Sequence, residues 1–328
     1  AVLLANADDL EELIGFVVPA LLPSTPGGVP SRPHPFRGHR EDKILVKPPF
    51  RGGSIAGAWV HHTVTMEIRL NPVVAWRRSR GYFRDPLFVF QMGKVGSQTL
   101  KQTLKARYHY YHLHARADFE SKFELYRAGR RAKAADYFDI ITATREPLSW
   151  KISAFFQNLV NIPPFRPYCF TFESKQAAQK ASIDELIARF RAWDDGARQA
   201  TEWFERNFQP ATGIRIYDHG FDPEKGWQIF REGKWRVLVL RYEDIKKNHL
   251  DALNEFVVER YGPSSRLDRL WASNLSSKKW YSDLMEEFRQ KMQYSDAEIE
   301  DAYCTPYAKY FYTDRELASM RSKWRNTS

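Results

Sequence analysis

From residue 87 onward, short apolar runs alternate with longer amphipathic ones. "LFVF" (87–90) is apolar at every position, the pattern of a strand covered on both faces, and residues 97–107 read as a helix. "YHYYHLH" (108–114) is aromatic and β-prone, which predicts a second strand. "FESKFELYRAGRRAKAAD" (119–136) has helical spacing and charge, "FDIITAT" (138–144) is a third buried strand, and "PLSWKISAFFQNLV" (147–160) a helix opened by proline. Beyond these lie a long helical stretch (183–207), the short strands "GIRIYD" (213–218) and "GWQIF" (226–230), and the strong strand opening "WRVLVLRYEDI" (235–245). A helix over 246–261 follows, and the last sixty residues read as helices interrupted by the loop "NLSSKKWYS". Strands alternating with helices predict an α/β fold: one P-loop-like domain with a central parallel sheet flanked by helices.

The first 85 residues break this rhythm. Residues 1–53 form a Pro/Gly/Arg-rich leader, with "LPSTPGGVPSRPHPFRGHR" and "VKPPFRGG" unable to sustain a helix or central strand, apart from a short amphipathic helix over 8–18. Residues 54–85 read as a partly structured extension and 86–328 as the main domain. No apolar run reaches the ~18 residues of a membrane span. The short "LIGFVVPALLP" looks neither like a signal peptide nor like an anchor.

Composition narrows the ligand. A formal charge of +10 suits a polyanion: nucleic acid, an acidic polysaccharide or a multiply phosphorylated cofactor. Two cysteines, Cys169 and Cys304, make no disulfide framework and no zinc spacing, so no metal is expected. They favour a reducing, cytoplasmic compartment, with the Golgi lumen, behind a removed upstream anchor, as the alternative.

In "FQMGKVGSQTL" (90–100) an apolar strand runs into a glycine-lysine turn and then a helix. Gly93 and Gly96 let backbone N–H groups close on an anion. The helix start adds unpaired N–H groups, Ser97 and Thr99 add hydroxyls, and Lys94 a point charge. A nucleoside-triphosphate P-loop would instead place lysine directly before the Ser/Thr. Further on, "TREPLSWKISAFF" (144–156) ends the third strand with Arg145, whose planar fork suits a terminal phosphate, and sets Ser153 about two turns along the next helix. Two phosphate sites at the ends of parallel strands point to a nucleotide phosphorylated at both ends. For a base, "HYYHLHARADFE" offers His112 and His114 two apart on one strand face, with Glu120 and Asp118 in reserve.

These residues carry a resemblance. "QMGKVGSQT" resembles the 5′-phosphosulfate loop of sulfotransferases that use 3′-phosphoadenosine 5′-phosphosulfate (PAPS), "TREPLSWKISAFF" their 3′-phosphate motif, and "VLVLRYEDI" a segment common in them. "YHLH" is similar to the Tyr-His-x-His stretch of heparan sulfate 2-O-sulfotransferases. The resemblance implies a donor site built from Gly93, Lys94, Val95, Gly96, Ser97, Gln98 and Thr99 around the 5′-phosphosulfate, with Arg145 and Ser153 on the 3′-phosphate. It implies His114 as first choice of base and His112 as second, with Lys94 stabilising the departing phosphate. The loop "NLSSKKW" resembles one that closes over the cofactor in polysaccharide sulfotransferases, bringing Ser276 and Lys278 towards the 3′-phosphate. The acceptor so implied is a carbohydrate hydroxyl, the released product adenosine 3′,5′-bisphosphate, and no nucleic acid partner is expected. "WRRSRGYFR" and "RAGRRAK" are basic runs suited to an acidic acceptor or to a solvated helix face. An ATP-dependent, kinase-like P-loop enzyme and a non-catalytic polyanion-binding protein stay open beside this reading.

Overall fold

The computed structural model describes residues 86–105, 107–128, 137–160, 168–193, 196–271 and 279–325. The leader, its helix over 8–18, the extension over 54–85 and the run "WRRSRGYFR" therefore lie outside the described residues, as does most of "RAGRRAK". The element order within them is β1 (Leu87–Phe90), α1 (Ser97–Leu104), β2 (Tyr110–Leu113), α2 (Arg116–Ala128), β3 (Phe138–Thr144) and α3 (Pro147–Gln157). Next come α4 (Lys175–Lys180), α5 (Ile183–Ala192), α6 (Gly196–Thr201), a π-helical turn (Phe204–Phe208) and α7 (Gln209–Thr212). Strands β4 (Trp227–Glu232) and β5 (Trp235–Arg241) precede α8 (His249–Tyr261). Helices α9 (Ser282–Lys291), α10 (Asp296–Tyr303), α11 (Pro306–Phe311) and α12 (Asp314–Arg325) complete it.

The strands form one mixed sheet in the order β2-β1-β3-β5-β4. β1 pairs in parallel with β2 and β3, and β3 with β5. All residues of β1 and β5 are buried, as interior strands of a covered sheet demand. Phe88 packs against Phe119, Phe123 and Tyr126 of α2, and Phe90 against Phe119, Trp203 and Phe208. Each such ring contributes roughly 1.5–3 kcal/mol by leaving water. At the amino ends, Asp139 and Arg236 face each other in the β3–β5 ladder and form a buried ion pair at 2.8 Å. Tyr261 of α8 donates to the same carboxylate at 2.9 Å, so the helix is stapled to the strand starts.

Three expectations need correction. The sheet is not wholly parallel: Gly233 and Lys234 join β4 to β5 in a hairpin, and a connection that short cannot cross over, so β4 runs antiparallel as an edge strand. Gly233 supplies the positive φ of 53° that such a turn needs. "GIRIYD" is not a strand. Ile214 and Ile216 are buried and Arg215 exposed, the alternation that invited the reading. That sheet edge is occupied by β4, however, and residues Ile216–Asp218 form a 3-10 turn whose Ile216 carbonyl accepts from the Tyr310 hydroxyl at 2.9 Å. The helical stretch 183–207 is also divided, α5 ending at Ala192 with the helix resuming at Gly196 and widening into the π turn that brings Phe204 and Phe208 inward.

His249, at the start of α8, is 1% exposed and donates from Nε2 to the Arg241 carbonyl at 2.8 Å. Burial pulls its pKa from 6.5 down to about 4. Between those values the unfolded chain binds a proton that the folded one does not. The contribution of His249 is therefore complete above pH 6.5 and is lost as the pH falls through the window, by about 3 kcal/mol at the acid end. Urea unfolding between pH 4 and 7 should show a shallower pH dependence for His249→Gln than for the wild type; identical slopes would remove His249 as the cause.

Candidate functional site

Because β1, β2, β3 and β5 are parallel, their carboxyl ends share one edge. The chain passes from β1 to β2 on one side, whereas β3 lies on the other, so the order reverses between β1 and β3. Open α/β sheets form their ligand crevice at such a point. The turn of residues 91–96 leaves β1 here, and Arg145 leaves β3 beside it.

Met92 and Val95 are wholly buried and fix the turn, while Gly93 and Lys94 are half-exposed. Lys94 holds a φ of 65°, a left-handed conformation costly for a residue with a Cβ. Gly96 holds 84°, and a Cβ there would meet Ile245 Cδ1 at 3.0 Å and Tyr242 at 3.3 Å. The turn is thus backed by the residues after β5. A Cβ on Gly93 would meet nothing within 4 Å, so that face is open. Its carbonyl, by contrast, accepts from Trp150 Nε1 of α3 at 2.7 Å.

Helix α1 begins at Gly96 with no side-chain cap and no acidic residue in its first turn. Five other helices are capped by side chains: Glu146, Ser174, Ser182, Ser295 and Thr305. An uncapped helix start facing a glycine turn suits an anion. Ser97 and Thr99 are buried and Gln98 half-exposed; the Ser97 hydroxyl accepts from Gln91 Nε2 at 3.0 Å.

Gln91, wholly buried at the end of β1, is a residue the sequence reading passed over. Its N–H donates to the Leu113 carbonyl at 3.1 Å and its own carbonyl lies 2.8 Å from His114 Nδ1. With Nδ1 donating to that carbonyl, the proton is held on Nδ1 and Nε2 carries the basic lone pair. His114 stands just past the end of β2, and Trp203 Nε1 donates to its carbonyl at 3.0 Å. The His112 ring meets His114 edge-on at 4.4 Å, so the two histidines are adjacent as their spacing predicts. Of the reserve carboxylates, Glu120 pairs with Arg116 at 2.6 Å on α2, and Asp118 lies exposed in its first turn.

Arg145 Nη1 donates to the Lys94 carbonyl at 2.7 Å, joining the two strand exits directly. The guanidinium lies over the Tyr242 ring at 4.4 Å, and its Nε is buried without a partner. Tyr307 of α11 holds the Arg145 peptide from both sides, accepting from its N–H and donating to its carbonyl, each at 2.9 Å. Burial pushes the Tyr307 hydroxyl above its ordinary range, so it keeps its proton. Glu146 caps α3 through the Leu148 and Ser149 N–H groups at 2.8 Å and accepts from the Tyr303 hydroxyl at 2.5 Å. Glu243 accepts from the Glu146 N–H at 2.8 Å and from the Tyr312 hydroxyl at 3.0 Å. Desolvation raises the Glu243 pKa, and the Arg145 charge opposes that shift. Ser153 is half-exposed on α3, and no hydrogen bond links it to Arg145. Ser276 and Lys278 lie outside the described residues.

The open glycine face, the uncapped helix start and the unpartnered Arg145 Nε all suit an anion. Among the described residues, no group of three or more His, Cys, Asp and Glu side chains converges as metal ligands, and no helix is long and apolar enough to cross a membrane. Residues 189–313 match a family model, NKWYS, described as "Putative capsular polysaccharide synthesis protein". The matched segment is less than half of the chain. It contains Tyr242, Glu243 and Tyr307 but not the Lys94 turn, His114 or Arg145. No curated protein and no solved structure matches the chain. This part of the chain is thus similar to a polysaccharide-related family.

Replacing Tyr307 with Phe removes both bonds to the Arg145 peptide. The expected cost is about 1–3 kcal/mol in chemical denaturation, because a buried N–H and carbonyl lose their partner. A variant as stable as the wild type would show that Arg145 is held by other contacts.

Proposed function

We propose that this protein transfers a sulfuryl group from PAPS to a hydroxyl of a carbohydrate. The observation that supports the reading is the 2.7 Å bond between Arg145 and the Lys94 carbonyl, which brings the two phosphate-type motifs into contact. The polysaccharide-related match over residues 189–313 supports the acceptor class. Gly93, Lys94, Val95, Gly96, Ser97, Gln98 and Thr99 would hold the 5′-phosphosulfate through turn and helix-start N–H groups. Arg145 and Ser153, with Ser276 and Lys278 from the C-terminal loop, would hold the 3′-phosphate. PAPS, when bound, supplies the sulfuryl group and a phosphate leaving group.

The chain's own part is positioning and charge. His114 Nε2 takes the proton of the acceptor hydroxyl, and its Nδ1–H, held by the Gln91 carbonyl, steadies the imidazolium that results. His112, in edge contact with it, is the alternative base. Lys94 places a positive charge beside the 5′-phosphate, where negative charge grows during transfer.

Thermal shift separates this reading from an ATP-dependent one. Adenosine 3′,5′-bisphosphate at 100 times its Kd should add about 2.7 kcal/mol and raise Tm by several degrees, while ADP does little. Equal shifts would sink the two-phosphate assignment. His114→Gln should keep bisphosphate affinity and lose roughly 100- to 10,000-fold in turnover. Undiminished transfer would take the role of base away from His114.

A further inference from the structure

The backbone of Gln91 is fully committed. Its N–H donates to the Leu113 carbonyl at 3.1 Å, and its carbonyl faces His114 Nδ1 at 2.8 Å. The side-chain amide stands on that fixed base and is wholly buried, with Nε2 donating to Ser97 Oγ at 3.0 Å. Its Oε1 is buried as well and has no hydrogen-bond partner among the described residues.

This is a poor arrangement for stability alone. A buried carbonyl oxygen without a donor destabilises a fold, and an unbranched apolar side chain such as methionine would fill similar space without that acceptor. Turned over, the amide would offer Oε1 to the Ser97 hydroxyl, but the Ser97 proton would then be spent inside the protein. As the amide stands, Ser97 Oγ accepts from within and its own proton is left for another acceptor. A hydroxyl that accepts one hydrogen bond also donates a stronger one, because the first polarises it. Ser97 is the first residue of α1, directly after the Gly96 turn, where no side chain caps the helix. The freed proton therefore belongs to the same uncapped start that suits an anion.

We propose that the Gln91 side chain is a positioning residue for the anion site: by donating to Ser97 Oγ it reserves the Ser97 proton for a bound 5′-phosphate. This deepens the donor reading above and rests on it. Gln91 then serves the two halves of the site through different atoms, the backbone carbonyl for the His114 ring and the amide for the anion.

Titration calorimetry on the full chain with adenosine 3′,5′-bisphosphate, arranged as a double-mutant cycle, tests it. Ser97→Ala should weaken binding about 10- to 100-fold, the effect of losing a hydrogen bond to a charged group. Gln91→Met should weaken it about 3- to 10-fold on its own and add nothing once Ser97 is alanine. A residue that only shaped the turn would cost affinity in both backgrounds. Should Gln91→Met fail to fold, Gln91→Leu takes its place in the same cycle. Equal losses in both backgrounds, or no loss in either, overturn the role of Gln91 and spare the donor reading. Unchanged binding by Ser97→Ala overturns it too, since the proton would then have no ligand to meet. A wild type that does not bind the bisphosphate overturns both.

Discussion

The bond from the Arg145 guanidinium to the Lys94 carbonyl ties the exits of β1 and β3 across the point where strand order reverses. A charge-assisted bond of this kind is worth roughly 1.5–3 kcal/mol, too little to shape the crevice unaided. What makes it decisive is that each partner is already fixed. Trp150 holds the Gly93 carbonyl and Tyr307 the Arg145 peptide, while the residues after β5 press on Gly96. The site is preorganised by its supports, and the bond reports that both halves have arrived in register.

Gln91 applies the same logic to the candidate base. Its backbone continues the β1–β2 ladder, its carbonyl sets the His114 tautomer and its amide holds the Ser97 hydroxyl. The histidine and the glycine-lysine turn are therefore tied through one residue. Under the proposed function a proton acceptor and a leaving-group site gain from that arrangement, since catalysis by positioning degrades quickly when the parts drift.

Much of this was legible in residue order. Apolar runs such as "LFVF" and "WRVLVLR" marked the buried strands, and the order of the residues put the glycine-lysine turn and Arg145 at strand ends, where they lie. What escaped was non-local. Gln91 reads as a polar stop after an apolar run, and only coordinates reveal its three partners. Tyr307 lies 162 residues from Arg145, and no periodicity links them. "GIRIYD" failed for a different reason: alternation reports which side chains are buried, not whether a neighbouring strand exists to pair with. The direction of β4 likewise hung on the shortness of the link at Gly233 rather than on the strand itself.

The grip of Tyr307 on the Arg145 peptide also bears on synthesis order. A ribosome adding about 5–20 residues per second delivers Lys94 and Arg145 seconds to tens of seconds ahead of Tyr307. During that interval the nascent chain carries both cationic turns without the phenol that orients one of them. The support of the Arg145 peptide thus arrives only with α11, and a chain stalled before it would carry both turns without that support.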